Sequence, residues 1–211
     1  MPQTVSLSKT EALLAARGSL GLILRPVTFV NRIGRVTEFG PSDTKGYDWI
    51  MRDGQMRWND LRHDDLLKRC PLGAPGARVV GQETWGYVSK TINVGGQLVE
   101  NGQIVFQVTN PNAAVDHPGW RSPVTLPWWK CRAIFVVQSI AVCRLLDLSE
   151  ADAALAVEFE TNDDGTVTYW GDGRIEGHGN ALHALAQVWM VKYAKHGPNP
   201  WLWKVAVTGR Q

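Results

Sequence analysis

Two adjacent tryptophans followed by two cations stand out in the run TLPWWKCRAI, residues 125–134. Trp128 and Trp129 offer flat aromatic faces, and Lys130 and Arg132 offer positive charge. A base stacked on an aromatic ring, with a cation at its phosphate, is a common arrangement in proteins that bind single-stranded nucleic acid. Core aromatics beside solvated charges produce the same sequence pattern. The run therefore leaves a ligand surface and an ordinary strand entrance as alternatives.

Strand geometry predicts how these side chains divide. Alternation along an extended chain places Trp128, Lys130 and Arg132 on one face. It places Trp129 on the opposite face, so we expect Trp129 to be the core residue. In the functional interpretation, Trp128 stacks a base while Lys130 and Arg132 contact phosphate.

A second run, CPLGAPGARVVGQETW at residues 70–85, joins a Gly-Pro turn to a strand with polar groups at its ends. Arg78 leads this strand, which ends with Glu83, Thr84 and Trp85. One interpretation is a strand entry with a surface ion pair between Arg78 and Glu83, worth under ~1 kcal/mol. The other is a ligand cleft in which a buried Glu83 acts as general acid or base, assisted by Lys130 or Lys204.

Composition limits the class of protein. A chain of 211 residues can form one sizeable domain, and 44% hydrophobic and 20% charged residues are typical of a soluble globular protein. The three cysteines form no C-x-x-C pair and no cluster has metal-ligand spacing, so neither a disulfide framework nor a metal or other cofactor is expected. No segment has signal-peptide or membrane-span character, which predicts a cytoplasmic protein without a membrane partner.

Charge is unevenly distributed along the chain. The net charge is only +2, but residues 1–37 carry five cations and one acid, whereas residues 145–180 carry one cation and nine acids. A folded molecule with a basic face and an acidic face is compatible with a polyanionic partner without requiring one.

The order of elements predicts an α+β unit dominated by a curved sheet. Residues 9–17 favour a helix that stops at Gly18, and LGLIL at residues 20–24 favours a short buried strand. The run at residues 95–108 predicts a hairpin that turns at Asn101-Gly102. The apolar, β-branched run at residues 132–146 predicts a central strand buried on both faces.

Two helices are indicated in the second half of the chain. Ser149 followed by Asp152 has the spacing of a capping box, which predicts a short helix start. Asn180 is a suitable N-cap for a longer helix ending near Gly197. The closing run from residue 198 to 207 predicts a final strand.

Four segments in this order resemble the ASCH domain family as it occurs in phage and prophage proteins. Family members typically contain C-P-Y-G-x-P-G-D-R-L-W-V-R-E-T-W, W-x-P-x-x-M-P-R-W-A-S-R-I, L-x-x-I-S-E-E-D-A and N-P-W-V-W-V. The corresponding segments here are residues 70–85, 119–134, 145–156 and 199–207. The resemblance implies an ASCH domain over residues 66–211, with residues 1–65 packed on it.

This resemblance implies a PUA-like fold, a curved or closed small β-barrel with flanking helices and a cleft. The wider superfamily includes RNA-binding modules and readers of modified bases, and some ASCH proteins hydrolyse acetylated cytidine or act as nucleases. Hydrolytic members carry an early G-x-K-x-x-T element. Here the nearest run is RIGRVTEF, in which Arg35 and Thr37 stand at the wrong spacing, and arginine cannot replace a lysine nucleophile.

The leading hypothesis is therefore a module that binds RNA, or an ordinary or modified base in single-stranded nucleic acid. Its predicted contact residues are Arg78, Thr84, Trp85, Trp128, Lys130, Arg132 and Lys204. The alternative is a hydrolase acting on a modified nucleoside or on RNA, with Glu83 as its catalytic residue. A third hypothesis is a phage protein-interaction factor that does not bind nucleic acid.

Overall fold

The computed structural model describes residues 2–94, 97–157, 159–164, 166–170 and 174–209. The strands of this part of the chain are β1 (Gln3–Ser6), β2 (Leu22–Pro26), β3 (Phe29–Val30), β4 (Gly34–Pro41), β5 (Trp49–Asp53), β6 (Trp58–Leu61), β7 (Arg78–Gln82), β8 (Trp85–Val94), β9 (Gln97–Phe106), β10 (Ala133–Arg144), β11 (Phe159–Thr161), β12 (Val167–Trp170), β13 (Arg174–His178) and β14 (Trp201–Gly209). The helices are α1 (Lys9–Ala16), α2 (His63–Leu67), α3 (Glu150–Ala156) and α4 (Ala181–Lys192). Short 3-10 turns occupy Pro123–Thr125, Trp128–Lys130, Leu145–Asp147 and Ala194–His196.

The central element is a five-stranded sheet with the order β1-β7-β10-β14-β2. β1 runs parallel to β7, and the other neighbours are antiparallel. The first 65 residues therefore supply both edge strands of this sheet. The remaining sheets are β3-β4-β5-β6, β8-β9 and β11-β12-β13.

Apolar side chains of β14 alternate between two cores, one on each face of the five-stranded sheet. Trp203 and Val205 belong to a cluster shared with β1, α1 and the β3–β6 sheet. Leu202 belongs to a cluster formed with α3 and α4. The alternation follows from the strand period of two, since successive side chains point to opposite faces.

The predicted α+β class is confirmed, and the structure corrects the predicted closure. Four separate sheets are present, and within the described residues none closes on itself as a barrel. The long strand predicted over residues 132–146 is confirmed as β10, but it is not buried on both faces. Only Phe135 and Val137 of β10 are fully buried. A bulge after Val137 interrupts the alternation and leaves Gln138 and Ser139 exposed.

The β8–β9 hairpin forms, but its turn was predicted in the wrong place. The strands reverse between Val94 and Gln97, whereas Asn101 pairs with Lys90 inside the ladder. Ten consecutive residue pairs are made in this register. A favourable Asn-Gly dipeptide contributes one turn, so it is outweighed by the longer ladder.

The predicted helix starts and the stop at Gly18 are confirmed, but the predicted end of the long helix at Gly197 is wrong, because a 3-10 turn at Ala194–His196 follows α4. Ser8 caps α1, and Gly18 follows the helix with a φ of +72°, a left-handed conformation that suits glycine. Ser149 and Asp152 form the expected capping box of α3. Asn180 caps α4 by accepting a hydrogen bond from the backbone N–H of His183, and this helix ends at Lys192, before Gly197.

Candidate functional site

Glu83 and Arg132 meet where β7 ends and β10 begins. The antiparallel register pairs Gly81 with Ala133, which brings the residue after β7 close to the residue before β10. Arg132 Nε donates to Glu83 Oε1 at 2.9 Å, and Arg132 Nη2 donates to Oε2 at 2.8 Å. The Glu83 side chain is only 1% exposed, whereas that of Arg132 is 35% exposed. The buried Glu83 carboxylate and the partly solvated Arg132 guanidinium therefore form a bidentate ion pair.

Two further contacts fix the orientation of Arg132. Its guanidinium carbon lies 4.3 Å from the centroid of the Phe106 ring, at the end of β9. Its third nitrogen, Nη1, donates to the Thr109 hydroxyl at 3.3 Å. Bidentate pairing and ring stacking are both arrangements that arginine makes and lysine does not.

An open cleft of about 450 Å³ adjoins this pair. Its walls come from the end of α1 and from the β7–β10 junction, with Gly209 of β14 at one side. Arg17, an exposed residue just after α1, lines the cleft together with Arg132. The sequence did not single out Arg17, Phe106 or Thr109, because only the tertiary fold brings these elements together.

The Trp128-Trp129-Lys130 run forms a 3-10 turn rather than the entrance of a strand. The Lys130 N–H donates to the Pro127 carbonyl at 2.9 Å, which closes the turn. Trp128 is 41% exposed and Trp129 is 65% exposed, so the prediction that Trp129 is a core residue is wrong. Strand alternation does not apply to a turn, and neither indole is directed into the core. The two rings make an edge-to-face pair with centroids 5.8 Å apart.

Two hydrogen bonds, one of them buried, anchor the segment just before this exposed turn. Leu126 is fully buried, and its carbonyl accepts a hydrogen bond from Gln82 Nε2 at 2.7 Å. The Thr125 hydroxyl accepts a hydrogen bond from Trp85 Nε1 at 3.1 Å. The tryptophan pair is thus presented by a segment tied to the ends of β7 and β8.

Trp85 supports the exposed turn from within the fold. It is buried, and the guanidinium carbon of Arg121 lies 4.8 Å from its ring centroid. Burial leaves little of the Trp85 ring accessible to a ligand, and its predicted role in ligand contact stays a prediction. Its neighbour Thr84 is partly buried, and its carbonyl accepts a hydrogen bond from the Gln107 N–H.

Arg78 and Lys204 are not brought to the Arg132 cleft. Arg78 begins β7, so a whole strand separates it from Glu83. Lys204 lies on β14 and donates from Nζ to Asp152 Oδ2 of α3 at 2.6 Å. Burial disfavours ionisation of Asp152, but the hydrogen bonds from Lys204 and Ser149 outweigh it and lower its pKa. Lys204 therefore joins α3 to the sheet.

Cys131 lies between Lys130 and Arg132 but has no nucleophilic character. Burial, followed by the negative charge of Glu83, raises the pKa of its thiol to about 11. The thiolate is the reactive form of cysteine, so this thiol is protonated and inert near neutral pH. Cys70 and Cys143 are also free thiols.

The run RIGRVTEF lies elsewhere in the fold. Arg35 and Thr37 are on β4 and line a separate, larger cleft, which shares no lining residue with the Arg132 cleft. Within the described ranges, no three His, Cys, Asp or Glu side chains gather as a metal site. None of the helices described is long and apolar enough to cross a membrane.

No protein-family model, curated protein or solved structure matches this chain.

Proposed function

We propose that this chain is a PUA-like ASCH protein that binds single-stranded nucleic acid, with RNA as the preferred ligand. The binding surface comprises the exposed Trp128-Trp129-Lys130 turn and the adjoining cleft that contains Arg132. The observation that carries the proposal is the tryptophan pair, which is solvent-exposed although the segment just before it is anchored by Gln82 and Trp85.

Exposed tryptophans on an anchored turn are suited to stacking bases. An indole left in water forgoes the stabilisation that burial of its large apolar area would give. Stacking a base on such a ring contributes about 1–3 kcal/mol and tolerates any base, because every base has a π face. Since the turn is already fixed, binding loses little backbone entropy.

Arg132 is suited to a phosphate or to the edge of a base. Its position is fixed by Glu83 and Phe106, so little side-chain entropy is lost when a ligand arrives. Glu83 cancels the charge of Arg132, however. The net positive charge of this surface must therefore come from other cations, and Lys130 is exposed on the same turn.

The same pair disfavours the hydrolase alternative for Glu83. Both carboxylate oxygens accept hydrogen bonds from Arg132, so neither is free to take a proton from a substrate unless the pair opens. The geometry gives Glu83 a positioning role instead: it holds Arg132, and Arg132 faces the cleft.

The arrangement of the four ASCH-like segments supports the family proposal. The first and second segments meet at the Glu83–Arg132 pair. The third and fourth meet at the Asp152–Lys204 pair and at the Leu146 N–H, which donates to Asn199 Oδ1 at 2.9 Å. The four segments thus contact one another in the fold, and both partners of the Glu83–Arg132 pair match the family pattern.

The proposal is tested by fluorescence anisotropy with labelled single-stranded RNA and DNA oligomers at low and moderate salt. We expect the native protein to bind, and the double variant Trp128→Ala/Trp129→Ala to bind at least about tenfold more weakly. Trp58→Ala is the matched control, since Trp58 is also exposed, at 54%, but lies on β6.

The RNA recovered from the same samples is checked for cleavage by gel electrophoresis. Intact RNA with tryptophan-dependent binding supports the proposal. Cleaved RNA would favour the hydrolase, and absence of binding to both oligomers would contradict a nucleic-acid function.

A further inference from the structure

A second cleft, of about 950 Å³, shares no lining residue with the Arg132 cleft. One wall is formed by β3, by β4 and by residues 26–28, which precede β3. The other is formed by the end of β10, the 3-10 turn at Ala194–His196 and the start of β14. Its volume is within the usual range of small-molecule sites, about 300–1,000 Å³.

Cations approach this cleft from three different elements. Arg35 comes from β4, Arg144 from the end of β10, and Lys195 from the 3-10 turn. Among the described residues, neither Arg35 nor Lys195 has a carboxylate partner within ion-pair distance. The one acid in the lining, Glu38, is paired with Arg52 at 3.0 Å. The cleft therefore carries unneutralised positive charge.

Contacts with neighbouring residues fix the orientation of Arg144. Its guanidinium carbon lies 4.5 Å from the Trp201 ring centroid, and its Nη1 donates to the Asn199 carbonyl at 2.8 Å. Trp201 in turn packs edge-on against Phe39, with centroids 5.8 Å apart. These contacts form a rigid aromatic floor beneath the cation.

Phe29 adds an exposed aromatic face to the same cleft. Its side chain is 47% exposed, although its backbone carbonyl accepts a hydrogen bond from the buried Trp203 Nε1 at 3.2 Å. The ring is therefore carried by a fixed backbone position and is free on its outer side. Apolar exposure next to several cations is unfavourable for packing but suitable for a ligand that is both flat and anionic.

We infer that this cleft binds a nucleoside phosphate, with the base against Phe29 and the phosphate among Arg35, Arg144 and Lys195. His196 also lines the cleft. Burial and the neighbouring Lys195 lower the pKa of His196, so its imidazole is neutral near neutral pH. A neutral imidazole can donate one hydrogen bond to the ligand or accept one from it. The inference is independent of the proposed function, because the two clefts use different residues.

The test is isothermal titration of the full chain with the four ribonucleoside monophosphates, their four nucleosides and inorganic phosphate. We expect at least one monophosphate to bind about tenfold more tightly than its nucleoside and than inorganic phosphate. Equal affinity for the nucleoside would overturn the phosphate assignment. Equal affinity for inorganic phosphate would overturn the base assignment, and no binding of any monophosphate would overturn the site itself.

Variants assign the binding to this cleft. Arg35→Ala/Lys195→Ala removes two exposed cations and should weaken monophosphate binding by about tenfold or more, as should Phe29→Ala to a lesser degree. Lys45→Ala/Arg62→Ala is the matched control, since it removes one exposed lysine and one exposed arginine outside both clefts. Unchanged binding in the Arg35/Lys195 variant would overturn the inference.

Two further measurements distinguish a free nucleotide from a strand end as the ligand, and they distinguish this cleft from the Arg132 cleft. A 5′-phosphorylated trinucleotide that displaces the monophosphate would identify a strand end as the ligand, and one that fails would identify a free nucleotide; both results support the cleft. Trp128→Ala/Trp129→Ala should leave monophosphate affinity unchanged, so failure of the proposed function and failure of this inference are distinguishable.

Discussion

Arg132 and Glu83 are joined by two parallel hydrogen bonds of 2.9 and 2.8 Å, although only the carboxylate is fully buried. The partners are 49 residues apart in sequence. The fold thus uses a buried acid to orient a basic side chain at the surface, beside a turn that exposes two tryptophans. This relationship, rather than either residue alone, defines the candidate site.

Replacing Arg132 with lysine should separate geometry from charge. The substituted lysine keeps the positive charge but cannot bond both Glu83 oxygens and stack on Phe106 in the same way. We expect Arg132→Lys to weaken binding of single-stranded RNA by about tenfold in anisotropy titrations. Arg78→Lys, at the far end of β7, is the control and should leave affinity unchanged. Equal affinities of the Arg132→Lys variant and the native protein would exclude a role for the guanidinium geometry.

The exposed and buried tryptophans should respond in opposite ways to truncation. Trp128→Ala should lower RNA affinity with little change in the melting temperature, because its ring is largely solvent-exposed. Trp85→Ala should lower the free energy of unfolding by about 3–5 kcal/mol, because its ring is buried beneath Arg121. Calorimetry and anisotropy on both variants check this. A large loss of stability in Trp128→Ala would show that the turn is structural.

The salt dependence of binding reports how many cations contact phosphate. With Lys130 and Arg17 contacting phosphate and the charge of Arg132 balanced by Glu83, the slope of log affinity against log salt should be about −1.4 for a single strand. Lys130→Ala should reduce the slope by about 0.7, whereas Lys45→Ala should not change it. A slope near zero in the native protein would mean that phosphate is not contacted.

The buried Glu11–Arg25 pair should make the fold sensitive to acid. Burial opposes ionisation of Glu11, but the charge of Arg25 and its hydrogen bonds outweigh this and hold the pKa below the ordinary value of 4.5. The unfolded chain therefore takes up a proton at a higher pH than the folded chain. The stability that ionised Glu11 contributes is fully present above pH 4.5. This contribution is lost as the pH falls from there through the lowered pKa. Urea titrations at a series of pH values measure the decline.

Variants of two glutamates test the same point. Glu11→Gln should cost about 3–5 kcal/mol at neutral pH and flatten the acid dependence, because it leaves Arg25 without its carboxylate. Glu38→Gln is the control, since the Glu38–Arg52 pair is exposed and its loss should cost under about 1 kcal/mol. A Glu11→Gln protein as stable as the native one would show that the pair contributes nothing.

Local signals predicted the individual elements better than their assembly. The caps at Ser149 and Asn180 act within three residues, so sequence spacing is sufficient to recognise them. The register of β8 and β9 is decided by ten residue pairs. A prediction based on one Asn-Gly dipeptide therefore placed the turn wrongly. The four separate sheets likewise depend on long-range pairing, such as that of β1 with β7, which no local pattern reveals.

The candidate site could be predicted in part. Glu83, Trp128, Lys130 and Arg132 were singled out because of their types and their neighbours in sequence. The assignment of Trp129 to the core failed because Trp128–Lys130 forms a 3-10 turn with Pro127 as its N-cap, so the strand period does not apply. Arg17 and Phe106 could not be found, since they reach Arg132 only through the packing of α1 and the β8–β9 hairpin.

The most direct test of the proposed surface is photo-crosslinking of thiouridine-containing single-stranded RNA to the native protein, followed by tryptic mass spectrometry. Trypsin releases residues 122–130 as one peptide that contains both exposed tryptophans. We predict that this peptide carries the principal crosslink, and that the Arg132→Lys variant reduces it. Crosslinks from a bound complex that map elsewhere and spare residues 122–130 would contradict the account.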